Sequence, residues 1–373
     1  MNAISPWPSR PLGELTENFD AIRVPVREAD RRAGPYPYYG ASGIVDHVDG
    51  YLFDGEYLLI AEDGENLRTR QTPIAFLARG KFWVNNHAHV VRGNELAETR
   101  YLAYALGAVD VGAYLTGSTQ PKLTQAHLNR IPVPAPPRDL QTAIADVLGA
   151  LDDKIDLNRR MNETLEALAQ VAFEDVAPDE VAATVGDVVT LSRASIVPME
   201  SLEERFDHYS IPAFDEAAMP ANDLGSEIKS SKVLVPPDAV LISKLNPRFP
   251  RVWLPAVSSG PRSVCSTEFL VARPRPPFTR EYVFCFFRST GFQEVFRTLV
   301  TGTSGSHQRV KAEHMLAIPA AIPSAPAIEA FTATATPLLE RVALNRRESR
   351  TLAQLRDALL PKLISGEIRV ATT

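Results

Sequence analysis

The chain repeats itself, and the repeat limits what it can fold into. Residues 122–173 lie on residues 309–360 without a gap. His127 falls on His314, Ile131-Pro132 on Ile318-Pro319 and Pro136 on Pro323. Leu157-Asn158-Arg159-Arg160 falls on Leu344-Asn345-Arg346-Arg347, and Thr164-Leu165 on Thr351-Leu352. The segments before the two copies show no such match. The plan is therefore two different modules, each followed by the same long element, in a pseudo-twofold molecule.

That element reads as a helix. After Pro136-Pro137, Asp139 can cap it. Ile144, Leu148, Leu151, Ile155, Asn158, Asn162, Leu165 and Ala169 then follow at alternating steps of four and three. This is a coiled-coil seam rather than a broad apolar face. The helix should end near Asp175, and some 35 residues at ~1.5 Å each make a rod of roughly 50 Å. The second copy carries the seam as Phe331, Ala335, Leu338, Val342, Asn345, Ser349, Leu352 and Arg356. Pro337 should kink or restart that helix, and Gly366 should stop it. Neither helix can bury its stripe alone, so the two pair antiparallel. Asn158 and Asn345 stand at one position of both copies, where a polar residue fixes register at a cost in stability.

The modules read as mixed α/β, which places the whole in the α+β class. In the first, Tyr57–Ala61 and Ile74–Leu77 read as strands joined by a turn at Glu62–Asn66, and Thr99–Leu115 as a helix. In the second, Ala239–Ile242 and Phe269–Ala272 read as strands and Glu281–Leu299 as one helix. The boundaries expected are 1–137 and 178–323 for the modules, 138–177 and 324–373 for the helices.

A net charge of −6 argues against nucleic acid, but its distribution reverses the argument. Arg68 to Arg92 holds five basic residues and no acid; Lys229 to Arg280 holds nine against Asp238 and Glu268. Twelve carboxylates fall between Asp139 and Asp187. The local field, not the sum, decides phosphate binding. Two cysteines cannot frame disulfides or a zinc site and point to a reducing, cytoplasmic compartment. No secretory leader and no membrane span is visible.

Enzyme motifs are decoys. Asn246-Pro247-Arg248-Phe249 resembles the Asn-Pro-Pro-aromatic motif of adenine methyltransferases, but arginine replaces the second proline and no cofactor loop precedes it. Asp223 with Glu227-Ile228-Lys229 is too closely spaced for a nuclease centre. There is no ATP-binding phosphate loop, and His87 with His89 lacks metal-ligand spacing. Cys265 reads as a small buried residue. The expectation is a non-catalytic chain with no cofactor and no metal.

The order of several motifs resembles the specificity subunit of type I restriction-modification systems. They are Tyr36-Pro37-Tyr38-Tyr39-Gly40-Ala41-Ser42-Gly43, Asp54-Gly55-Glu56-Tyr57-Leu58-Leu59-Ile60, Glu62-Asp63-Gly64, and Gly117-Ser118-Thr119-Gln120-Pro121-Lys122-Leu123 followed by Ile131-Pro132-Val133-Pro134. The second module adds Glu227-Ile228-Lys229-Ser230, Ile242-Ser243-Lys244-Leu245-Asn246-Pro247-Arg248 and Cys265-Ser266-Thr267-Glu268-Phe269, and the chain ends on Leu359-Leu360-Pro361-Lys362-Leu363-Ile364-Ser365-Gly366. The resemblance implies two target recognition domains, each reading half of a split site in double-stranded DNA, with the helices as a ruler. It also implies docking of two methyltransferase (M) subunits, with restriction (R) subunits added for cleavage, in phage defence. The alternative is a helical scaffold whose modules bind another ligand.

The DNA candidates follow from base and phosphate chemistry. In the first module they are Arg68, Arg70, Lys81, Asn85, Asn86, His87, Thr119, Gln120 and Lys122. In the second they are Lys244, Asn246, Arg248, Arg251, Ser306, Gln308 and Arg309, with Arg262 in the same basic set. Asn85-Asn86-His87 fits either a base reader or a polar strand-end turn. The hydroxyl-rich loops before both helices suit phosphate oxygens. Tyr36, Tyr38 and Tyr39 fit packing of a turn better than stacking on a base.

Overall fold

The structure, a computed structural model, describes residues 7–117, 119–176, 182–256, 260–301 and 308–371. The chain forms two units, Met1–Ile155 with Arg350–Thr373, and Asp156–Ser349.

The first unit opens on β1 (Ser9–Pro11), a single-turn helix α1 (Leu12–Leu15) and β2 (Thr16–Asn18). β3 (Ala33–Gly40), β4 (Gly43–Val48), β5 (Phe53–Ala61), the short α2 (Asn66–Thr69), β6 (Ala75–Val84) and β7 (Ala88–Gly93) follow. The order in the six-stranded sheet is β2-β7-β5-β6-β3-β4, with β3 and β6 parallel. α3 (Thr99–Ala108), α4 (Gln125–Leu128) and β8 (Pro132–Pro134) lead into the long helix α5 (Arg138–Glu174). β5 is apolar on consecutive residues because both its faces are covered. Leu58 and Ile60 pack with Tyr101, Leu102 and Ala105 of α3, while Leu59 packs with Phe53, Phe82 and Val90 on the other side. The helix expected over Thr99–Leu115 stops at Ala108, where the Arg70 guanidinium takes the carbonyls of Leu106, Gly107 and Val109.

The second unit begins with β9 (Ala182–Thr184), α6 (Val185–Val188), β10 (Val189–Ser192), β11 (Ser195–Ile196) and β12 (Arg205–Tyr209). It continues through α7 (Ile211–Ala217), β13 (Ala221–Leu224), β14 (Lys232–Leu234), β15 (Val240–Ser243), β16 (Val252–Trp253), β17 (Arg262–Cys265) and β18 (Phe269–Pro274). α8 (Arg280–Arg288), α9 (Thr290–Thr298), β19 (Val300–Thr301), β20 (Arg309–Val310), α10 (Ala312–Leu316) and β21 (Pro319–Ala321) precede the second long helix, α11 (Ala325–Ser365). Its strands form two main sheets, β10-β18-β15-β16 and β11-β14-β17-β12-β13. The single helix expected over Glu281–Leu299 is two. Ser289 sits in extended conformation (ψ 146°) and its hydroxyl caps α9 by accepting from the Phe292 amide.

A frame common to both units escaped the sequence comparison. In the first, β1 pairs with β8, and the Leu12 amide donates to the Ile131 carbonyl at 2.9 Å. In the second, β9 pairs with β21, and the Val185 amide donates to the Ile318 carbonyl, also at 2.9 Å. Ile131 and Ile318 are repeat partners. The turns that follow read Leu12-Gly13-Glu14-Leu15 and Val185-Gly186-Asp187-Val188, an apolar–Gly–acid–apolar signal too short to stand out alone. Ahead of the copies there is still no gapless match in sequence; what recurs is this short turn and its strand pairing.

The long helices pack together antiparallel. In the first unit Ile144 and Leu148 share a core with Leu363 and Ile364, and Arg356 reaches Asp152 at 2.7 Å. In the second, Ala169 shares a core with Phe331, Ala335 and Leu339, and Arg346 meets Glu166 at 2.7 Å. Along the seam Ile144, Leu148, Asn158, Val342 and Asn345 are buried, whereas Leu151, Ile155, Leu165, Leu338 and Leu352 are half-buried. Asn158 donates to Glu348 at 2.8 Å and Ser349 at 3.2 Å, and Asn345 donates to Asn162 at 2.9 Å. Two expectations are corrected here. α5 starts at Arg138, so Asp139 lies in the first turn, where its charge meets the helix dipole, rather than at the cap. α11 runs unbroken through Pro337, which is exposed; the carbonyl of Ala333, four residues earlier and also exposed, loses its helical donor on the side that faces water. Gly366 ends α11 in the left-handed region (φ 77°), with Ile368 donating back to Lys362.

Candidate nucleic-acid interface

Three loops of the first unit converge. The turn after β6 brings His87 to Asp63, Nδ1 to Oδ2 at 2.8 Å, and the Glu62 amide donates to the His87 carbonyl. Gly64, at φ 111°, donates its amide to the Pro121 carbonyl. The loop before α4 is thus tied to the loop after β5, and Arg68 clamps it from the other side by donating to Gly117 at 3.0 Å. Thr119, Gln120 and Lys122 are exposed on it, and Lys122 reaches Glu62 at 3.2 Å. Asn86 and His87 are exposed on the neighbouring turn.

Beneath these loops lies a buried ionic cluster. His89 is 1% exposed; its Nδ1 meets Asp20 at 2.6 Å and its Nε2 meets the Leu123 carbonyl at 2.7 Å. Arg23 bridges Asp20 at 3.4 Å and Glu62 at 2.7 Å. Burial opposes ionisation of Asp20, but the bonds from His89 and Val90 and the nearby Arg23 charge prevail and hold its carboxyl below the usual range. Glu62 is held down likewise, against burial, by Arg23, His89 and Lys122.

Several candidates of the first module have structural duties. Asn85 is 8% exposed; its backbone amide donates to the Tyr39 carbonyl and its side-chain Oδ1 accepts from the His87 backbone amide, so its side chain builds the turn. Arg70, at φ 50°, spends its guanidinium on the end of α3. Lys81 lies over the Tyr51 ring at 4.6 Å. Tyr38 is buried with its hydroxyl on Val26, Tyr39 packs on Phe76 and Phe82, and Tyr36 lies against Tyr51.

In the second unit the loop after β15 meets β20. The Val310 amide donates to the Lys244 carbonyl at 3.0 Å, as the Leu123 amide donates to Glu62 at 2.7 Å in the first unit. One structural position thus carries an acid in one unit and a base in the other. Asn246 stands at φ 48°, donates its amide to Gln308, and accepts from the Phe249 amide, closing a tight turn. Phe249 is 51% exposed at its tip, with the Arg248 guanidinium 4.7 Å from the ring centroid.

The basic set is largely neutralised by residues distant in sequence. Arg251 forms a fork with Asp215 at 2.6 and 2.7 Å, and Arg309 with Glu268 at 2.9 Å twice. Arg262 pairs with Glu204 at 2.6 Å. Lys244 and Arg248 have no carboxylate partner among the described residues. Ser306 lies outside the described residues.

The decoys do not assemble. Asp223 holds His208 at 2.9 Å, and Glu227 accepts from the Leu224 amide in its own turn. Cys265 is buried, and burial pushes its thiol up to about 12. Among the described residues no group of three or more His, Cys, Asp or Glu is placed to hold a metal ion.

Comparison with known proteins agrees with this architecture. Residues 4–167 match the type I restriction modification DNA specificity domain. A putative type I restriction enzyme specificity subunit of Haemophilus influenzae is 42% identical over 38% of this chain and 36% of its own length. The type I restriction enzyme MjaIX specificity subunit of Methanocaldococcus jannaschii is 24% identical over 98% of this chain and 94% of its own. Over nearly its whole length the chain resembles type I specificity subunits. Its fold matches the type I restriction-modification S subunit from M. genitalium, with a TM-score of 0.59 and 14% identity over 100% of this chain and 98% of that one. No helix among the described residues is long and apolar enough to cross a membrane.

Proposed function

We propose that the chain reads a bipartite, asymmetric duplex site. Residues 1–137 and 178–323 act as the two target recognition domains, and residues 138–177 and 324–373 as the spacer helices. One observation carries this reading: the frame recurs while the heads differ. β1–α1–β8 and β9–α6–β21 close on the same hydrogen bond, yet one carries a single six-stranded sheet and the other separate sheets of four and five strands. Two unlike readers on like supports suit two unlike half-sites.

The helices also support docking of two methyltransferase subunits. Leu157 and Leu344 are repeat partners, 45% and 49% exposed, and Leu168 and Leu355 are repeat partners, 51% and 45% exposed. Apolar side chains left open at matching positions suit one kind of partner bound twice. Restriction subunits would join that assembly for cleavage, in the cytoplasm and without a membrane.

Methylation-sensitive sequencing of a host genome with and without this chain tests the reading. A split, asymmetric methylated motif with one fixed gap is expected, and exchanging residues 178–323 for those of another specificity subunit should change one half only. A continuous or palindromic motif would overturn it.

A further inference from the structure

The second unit holds a cleft of about 420 Å³ between the Asn246–Phe249 turn and the α8–α9 junction. Arg248, Arg288 and Arg297 line it, with Thr290, Gln293 and the ring of Phe214. Among the described residues no carboxylate lines it. The nearby acids do not cancel its charge. Glu166 is shared between Arg288 at 2.6 Å and Arg346 at 2.7 Å, so that trio keeps one positive charge. Glu294 stands 3.7 Å from Arg297 on the surface, a pair weakened by water. Arg248 has no carboxylate partner among the described residues. Its turn is preorganised by Pro247 and by Asn246 at φ 48°, and Phe249 supports the guanidinium plane.

Such a cleft suits an anion with several acceptor oxygens. Guanidinium forks match phosphate geometry, and the Thr290 hydroxyl and Gln293 amide can add donors. The cleft also continues the surface of the Lys244–Arg251 loop, which is bonded to Gln308 and Val310. We propose that it seats backbone phosphates of the half-site read by the second module, with Arg248 and Arg297 as the phosphate-contacting residues. None of Arg288, Thr290, Gln293 and Arg297 was singled out by the sequence, in which Glu281–Leu299 reads only as one helix. The proposal rests on the DNA-reading function above and extends its footprint to α9.

The test is fluorescence anisotropy of the full chain on a random-sequence duplex of about 30 base pairs between 50 and 200 mM salt. Each lost phosphate contact should lower the slope of log K against log salt by about one. R248Q/R297Q should therefore lose about two from the slope, and R341Q, which removes an exposed charge on α11, should lose none. An unchanged slope in the double variant, with wild type binding normally, would refute the cleft assignment alone. Absence of salt-dependent binding by wild type would instead refute the DNA-reading function. Thermal melting with inorganic pyrophosphate separates the source of the phosphate. Saturable stabilisation of wild type at micromolar pyrophosphate, with duplex slopes equal in all variants, would show a free phosphate ligand and overturn the proposal; no such stabilisation is expected.

Discussion

Replacing Arg70 by alanine should destabilise the first unit without touching DNA affinity. Its guanidinium donates to Val109 at 2.6 Å and to Leu106 and Gly107 at 3.0 Å each, at the end of α3. Bonds from a charged donor contribute about 1.5–3 kcal/mol each, and a cation at a helix C-terminus about 0.3–1 kcal/mol. Water can replace part of this, since Gly107 is exposed, so a loss of about 2–4 kcal/mol follows for R70A. For a unit of this size that is roughly 5–15 °C in Tm. Arg70 also sits at φ 50°, a region that costs a residue with a Cβ about 1 kcal/mol, so R70G should be less destabilised than R70A, by up to about 1 kcal/mol. R70K should recover part of the loss, because a single ammonium cannot fork across three carbonyls. Thermal unfolding followed by circular dichroism gives the stability, and anisotropy against salt gives the phosphate count. A drop of about one in the salt slope with Tm unchanged would refute the reasoning and return Arg70 to the DNA surface.

Other outcomes follow from the geometry. N158L/N345L should keep or raise Tm, since burying two leucines, about 1.5–3 kcal/mol each, offsets the lost bonds to Glu348, Ser349 and Asn162. It should also loosen the preferred gap between half-sites; an unaltered gap preference in the methylome would show that these asparagines do not set register, and a loss of more than about 3 kcal/mol would show that their bonds outweigh the buried leucines. G13A should be destabilising by about 1–3 kcal/mol, because the new Cβ would stand 2.9 Å from Cβ of Asn129. G186A should be neutral or slightly stabilising, because the nearest atom its Cβ would meet is the Leu316 carbonyl oxygen at 3.4 Å; equal urea midpoints for the two variants would contradict the contrast. Asp20 is depressed in the folded chain, so its contribution is complete above its unfolded value near 3.8 and is lost as pH falls through the lower folded value. Urea midpoints should therefore fall on acidification below about pH 4, and D20N should flatten that fall; parallel curves would place the acid sensitivity elsewhere.

The long helices and the strands of each module were legible in the sequence because their signals are local. A seam at steps of four and three, or an apolar run such as Tyr57–Ala61, needs only neighbouring residues to declare its period. The internal repeat extended that local signal into a plan for the whole chain. Tertiary structure decided which polar groups remain available. Arg251 and Arg262 read as part of one basic set and Arg309 as the base of a phosphate loop, yet each meets a carboxylate 36, 58 or 41 residues away, a pairing set by strand order and invisible to a local window. Asn85 and Arg70 went the same way, into a turn and onto a helix end, because buried or terminal backbone groups must find partners. The break at Ser289 and the passage of α11 through Pro337 were also tertiary outcomes. A capping hydroxyl ends one helix inside a pattern that could have continued, and packing of a 41-residue helix against its partner outweighs one missing hydrogen bond. The charge that survives on Lys244 and Arg248 is what these pairings left unneutralised, and only the folded chain could select it.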